Sequence, residues 1–126
     1  MSEQAIAPLY FELPHPPSVN GIWRGGKAGR FYKSKHYQAW ENEAGWAVKE
    51  QARGKRISGP FAVQIDLKRP DKRKRDLDNT IKVLLDLLKN LHVTDDDSEC
   101  QMIEAKWVGA GNGVRLAVRP CTRWAA

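Results

Sequence analysis

Two cysteines, Cys100 and Cys121, with neither CxxC nor CxxH spacing, provide no zinc site and no disulfide framework, and read as two reduced thiols in a cytoplasmic protein. Histidine is almost as sparse: His15, His36 and His92 are scattered, form no HxH or HExxH pattern, and His15 sits between prolines, which argues against a ligand role. No apolar run approaches the ~20 residues a membrane span requires. The opening Met1-Ser2-Glu3-Gln4 lacks the basic and apolar regions of a signal peptide. There are no internal repeats and no composition shift that would mark a boundary, so residues 1–126 read as a single domain. A chain of that length buries roughly two thirds of its unfolded surface.

Acidic residues are outnumbered, 15 against 21 Lys and Arg, a formal charge of +6. That balance favours a polyanionic partner, because binding phosphates releases condensed counterions. The cations are also clustered. Lys68-Arg69-Pro70-Asp71-Lys72-Arg73-Lys74-Arg75 passes at once into Asp76-Leu77-Asp78-Asn79, then into a segment with Lys82 and Asp86, and closes on Asp95-Asp96-Asp97. Cations that attract phosphate therefore adjoin carboxylates of the kind that hold a divalent metal.

In chain order, a strand is expected over about 8–13, with Pro8 marking an edge or a strand start. Pro14, Pro16 and Pro17 rule out regular structure next. Gly21–Lys33 reads as a basic loop with interleaved aromatics, suited to backbone phosphates and unstacked bases through Arg24, Lys27 and Arg30, or else as a solvated glycine loop. Ser34 is a plausible N-cap for a helix to about Arg53, stopped by Gly54, with Tyr37, Trp40, Ala44, Ala47 and Val48 on its buried stripe and Trp46 in the core or an interface. The alternation of Val63, Ile65 and Leu67 makes a strand. A second helix spans about Leu77–Asn90; its apolar arc (Ile81, Val83, Leu84, Leu85, Leu87, Leu88) exceeds the ~100° one sheet requires, so part of it is expected to pack on another subunit. Gln101–Val108 reads as a strand, Gly109–Gly113 as a hairpin turn to a partner strand Val114–Val118, and residues 119–126 as a frayed tail. The order β-α-β-α-β-β makes an α+β fold, a sheet of about four strands with two helices.

Magnesium takes hard oxygen ligands, usually one or two carboxylates plus waters and substrate phosphate oxygens. Acids beside a cationic run are what phosphodiester hydrolysis needs: a metal activates water and stabilises charge at phosphorus, while Lys and Arg hold the backbone. Structural readings stand beside this one. Asp76 or Asp78 is a good N-cap suited to the helix dipole, and both Asp95–Asp97 and Lys72–Arg75 read equally well as solvated surface. A DNA-binding protein without catalysis, and a metal-dependent nucleotide phosphohydrolase, are the competing functions; the latter lacks a phosphate-cradling glycine motif.

The run Arg75-Asp76-Leu77-Asp78-Asn79-Thr80-Ile81-Lys82, then Asp86, then Asp96-Asp97, with Pro16-Pro17-Ser18-Val19-Asn20 upstream, resembles the RusA-type family of Holliday junction resolvases. The resemblance spans nearly the whole chain. It implies a homodimer that uses Mg2+, with Mn2+ as the alternative ion, to nick two opposed strands of a branched, four-way DNA junction. It implies a metal-binding triad of Asp76, Asp78 and Asp97, with Asp96 a further candidate, and Lys82 as a supporting catalytic cation. Lys72, Arg73, Lys74 and Arg75 would then hold DNA by phosphate contact, which carries no base information. Where many members have glycine before the acidic pair this chain has His92.

Overall fold

The computed structural model describes residues 7–17, 23–25, 31–71 and 77–122, with 23–25 and 31–33 described by backbone alone. The elements are β1 (Leu9–Leu13), β2 (Trp23–Gly25), β3 (Phe31–Lys33), α1 (Lys35–Ala52), β4 (Phe61–Arg69), α2 (Leu77–Asn90), a single 3-10 turn (Asp97–Glu99), β5 (Cys100–Ala110) and β6 (Val114–Pro120). Four strands form one mixed sheet in the order β1-β6-β4-β5. β6 runs antiparallel to both β1 and β4, whereas β4 and β5 are parallel. The expected α+β architecture, two helices on a four-stranded sheet, is the one observed. No described helix is long and apolar enough to cross a membrane.

Alternation decides which face is covered. Leu9, Phe11 and Leu13, then Val63, Ile65 and Leu67, then Val114, Leu116 and Val118 are buried and share one core with Trp40, Ala44 and Val48 of α1 and Leu84 and Leu88 of α2. The intervening residues Tyr10, Glu12, Gln64 and Arg115 face away from the helices, and Tyr10 is 66% exposed.

Capping sets both helices. The Tyr37 N–H donates to Ser34 Oγ at 3.1 Å, closing the start of α1 as expected for an N-cap serine. The left-handed turn that ends α1 falls on Arg53 (φ 52°) as well as on Gly54 (φ 78°). α2 ends in a Schellman arrangement: the Val93 N–H donates to the Leu88 carbonyl at 2.9 Å and the His92 N–H to the Lys89 carbonyl at 3.0 Å. The residue forced left-handed is His92 (φ 61°), the position where glycine is the usual solution.

Five expectations change. Residues 23–25 and 31–33 pair as a short antiparallel ribbon within what read as a loop. β6 continues to Pro120, because Phe61 at the start of β4 gives it a partner there. β5 and β6 do not form a hairpin, because β4 lies between them. Their glycine-rich link instead wraps the end of β4: Gly111 N–H donates to the Arg69 carbonyl at 2.9 Å and Lys68 N–H to the Gly113 carbonyl at 3.1 Å. Gly111 (φ 141°) and Gly113 (φ 147°) adopt backbone that side chains disfavour, and a Cβ on Gly111 would sit 3.0 Å from the Lys68 side chain. Finally, the wide apolar arc of α2 is covered within the protomer, with Val83, Leu84, Leu85, Leu87 and Leu88 all buried, so it supplies no argument for a second subunit. Trp46, placed in the core or an interface from its sequence, is 74% exposed.

Leu84 is fully buried at the centre of this packing. Leu84→Ala should cost about 2–5 kcal/mol, a lost side chain plus the cavity it leaves, measured as a lowered midpoint in urea with unchanged slope.

Candidate active site

Because α2 turns ~100° per residue, positions 78, 82, 86 and 89 fall along one polar stripe. Asp78 stands in the first turn and Lys89 in the last, each at the end its charge favours. Lys82 Nζ lies 3.7 Å from Asp86 Oδ1. At the far end, Lys89 Nζ lies 3.0 Å from Asp96 Oδ1, tying the helix to the acidic segment that follows.

The three acids of that segment divide. Asp95 forms an ion pair with Arg56, and its other oxygen accepts from the Gly59 N–H at 2.8 Å. Asp96 caps the 3-10 turn, accepting from Ser98 Oγ at 2.6 Å and from Ser98 N–H at 3.0 Å. Those two bonds, followed by Lys89, hold its carboxyl well below the usual carboxylate range. Asp97 is held differently. Burial pushes its acid up, and the Asp86 carboxyl within hydrogen-bonding reach pushes it further, against the opposing pull of Lys89 and Lys82. Its Oδ1 is buried and has no hydrogen-bond partner. A desolvated oxygen in that position is costly unless something electropositive occupies the space beside it.

Tyr37, in the first turn of α1, borders the same region. Its hydroxyl is pushed up to about 12 by burial, then by Glu41 and Asp86. Nearer the prolines, Trp40 Nε1 donates to the Pro14 carbonyl at 2.9 Å. His15 stacks on Trp107, ring centroids 6.1 Å apart, and Arg69 sits 4.5 Å over the Trp107 ring. This stack occupies His15 with a structural contact and fixes the last residue of β4, from which the basic run departs.

The structure thus brings Asp97 to Asp86, Lys82 and Lys89. Asp78 lies eight residues before Asp86, about 12 Å along the helix at 1.5 Å per residue. Asp76, Lys72, Arg73, Lys74, Arg75, Lys27 and Arg30 lie outside the described residues, and Arg24 is described only by its backbone in β2. Among the described residues no three His, Cys, Asp or Glu side chains gather where a metal ion would be held. Asp86 is the residue whose contact the sequence left open. Its i, i+4, i+8 relation to Lys82 and Asp78 put it on the polar stripe, but nothing local says that Asp97 returns to meet it.

Because the folded state favours neutral Tyr37, that preference stabilises the protein fully below pH ~10, the unfolded value, and is lost as pH rises toward about 12. Ultraviolet titration should show a tyrosine ionising near 12, and Tyr37→Phe should abolish that step.

Residues 14–119 match the family model described as endodeoxyribonuclease RusA. The chain is 33% identical over 123 residues to the crossover junction endodeoxyribonuclease RusA of Aquifex aeolicus, covering 95% of this chain and 96% of that protein. It is 30% identical to the enzyme of that name from Enterobacteria phage HK97, over 71% of this chain and 73% of the relative. The Escherichia coli K12 protein of the same name is 32% identical over 69% of this chain and 72% of its own length. On the family match over residues 14–119 and these identities, this chain belongs to the RusA family of endodeoxyribonucleases.

Proposed function

We propose that this protein is a divalent-metal-dependent, structure-selective endonuclease that resolves four-way DNA junctions by paired nicks, acting as a homodimer with the whole chain as its nuclease domain. The observation that carries the reading is Asp97: a half-buried carboxylate with one buried, partnerless oxygen, pressed against a second carboxylate and flanked by two lysines. Two aspartates side by side repel unless a proton or a cation lies between them. They are hard oxygen donors of the number Mg2+ usually accepts from protein, so the residues present fit the ion.

In this reading Asp97 and Asp86 would hold the metal on one protomer, and Asp78, about 12 Å along α2 from Asp86, would join it together with Asp76 across the homodimer. When bound, the ion supplies an activated water and offsets charge building at phosphorus. Asp96 is committed to the 3-10 cap and to Lys89, so its part is to orient Asp97. Lys82, within reach of Asp86, favours ionised carboxylates and draws the scissile phosphate's charge toward the site. Lys72 to Arg75, with Arg24, Lys27 and Arg30, hold the phosphate backbone.

The test is cleavage of a labelled synthetic four-way junction, with Mg2+, Mn2+ or EDTA. Asp78→Asn and Asp97→Asn should each lower cleavage by more than about a hundredfold, beyond the 10–100-fold that a merely supporting partner costs, while junction binding persists. Binding without nicks by the native chain under every divalent ion would favour the non-catalytic DNA-binding reading. Replacing Lys72, Arg73, Lys74 and Arg75 by alanine should flatten the dependence of log affinity on log salt by about 0.9 for each phosphate that is no longer neutralised.

A further inference from the structure

The sheet has two outer edges, and they are treated in opposite ways. On β1, the Gln51 carboxamide takes the place of a neighbouring strand: the Glu12 N–H donates to Gln51 Oε1 at 2.7 Å and Gln51 Nε2 donates to the Glu12 carbonyl at 2.9 Å. Pro8, just before that strand, has no N–H to offer. Such devices stop an edge from recruiting another chain. β5 is 11 residues long against the 5 of β1, and the contact its own side chains make to its backbone is weaker, the Cys100 thiol donating to the Met102 carbonyl at 3.6 Å. β5 pairs with β4 alone, contains no proline, and exposes Met102 (50%), Ile103 (45%) and Val108 (44%).

The sequence of this edge is self-complementary. About Ala105, an antiparallel copy sets Glu104 opposite the partner's Lys106 and Lys106 opposite the partner's Glu104. It sets Met102 opposite the partner's Val108 and Ile103 opposite the partner's Trp107. Met102, Glu104 and Lys106 share the uncovered face with Ala62, Gln64 and Asp66, their register partners on β4, while Ile103, Ala105 and Trp107 share the helix-bearing face. A two-fold axis through the sheet keeps faces matched only in steps of two residues. The next such registers on either side put Glu104 opposite the partner's Glu104 or Lys106 opposite the partner's Lys106, and like charges directly opposite destabilise a pair. The run 102–107 pairs with β4 without a break, the irregularities falling outside it, so the stretch that matches itself is also the stretch that is straight.

We infer that β5 is the homodimer surface, pairing antiparallel with the partner's β5 about Ala105 to make one eight-stranded sheet. This deepens the homodimer part of the reading above and rests on it, but it is tested by mass rather than by nicking. In light scattering at micromolar concentration the native chain should be a dimer. Glu104→Lys, which sets two lysines opposite each other at two places, should raise the dissociation constant at least tenfold, and the double variant Glu104→Lys/Lys106→Glu should restore it. Both positions are exposed, and unchanged circular dichroism would verify that the variants fold. Ala105→Cys should form an intermolecular disulfide on mild oxidation. A monomeric native chain, a Glu104→Lys variant that dimerises as tightly as the native chain, or an Ala105→Cys variant that does not cross-link would each overturn the inference. The last two would leave the nuclease reading untouched, as failed junction cleavage by a dimer would leave this one.

Discussion

The parallel pairing of β4 with β5 is the constraint from which the rest of this protein follows. Parallel neighbours cannot be joined by a tight turn, and the connection must carry the chain back along the sheet before the second strand begins. α2 is that connection. Its inner surface is bound to the core by five apolar residues on successive turns, which frees its outer stripe for charge. Its length also determines that the acids ahead of β5 arrive beside the second half of the helix rather than its start. The pairing of Asp97 with Asp86 is thus a product of strand direction.

Three adjacent aspartates with three different partners illustrate how a segment of one composition acquires distinct chemistry. Asp95 bonds across to the turn before β4, Asp96 bonds within its own turn, and Asp97 is carried inward by the turn that Asp96 caps. Order along the chain separates stabilising acids from the one left for chemistry. The basic surplus of the chain makes this arrangement tolerable, since Arg56, Lys82 and Lys89 each stand near one of the acids.

Much of this was legible in the sequence where the signal is local. Ser34 as a cap, the strand through Val63, Ile65 and Leu67, and the limits of α2 follow from side-chain period and capping chemistry, which neighbours in sequence determine. What escaped is non-local. A glycine-rich link between two alternating strands reads as a hairpin because the intruding strand, β4, lies some forty residues earlier in the chain. The apolar arc of α2 looked too wide for one partner because a wheel cannot count the surfaces that converge on it; α1 and the sheet share it here. The acidic stripe was readable, but the depth of Asp97 was not, since burial is conferred by the loop and helix that close around it.

β1 and β6 come from opposite ends of the described chain, Leu9 pairing with Val118 and Leu13 with Val114. Their pairing has a consequence for biogenesis. As the polypeptide leaves the ribosome, β1 emerges about a hundred residues ahead of its partner, so Leu9, Phe11 and Leu13 stay without the strand that covers one side of them until β6 has been made. Contacts this distant in sequence close late and slow folding. A nascent chain stalled anywhere before β6 therefore presents an unpaired apolar strand to chaperones, and the sheet becomes cooperative only when its last strand slides between the first and the fourth.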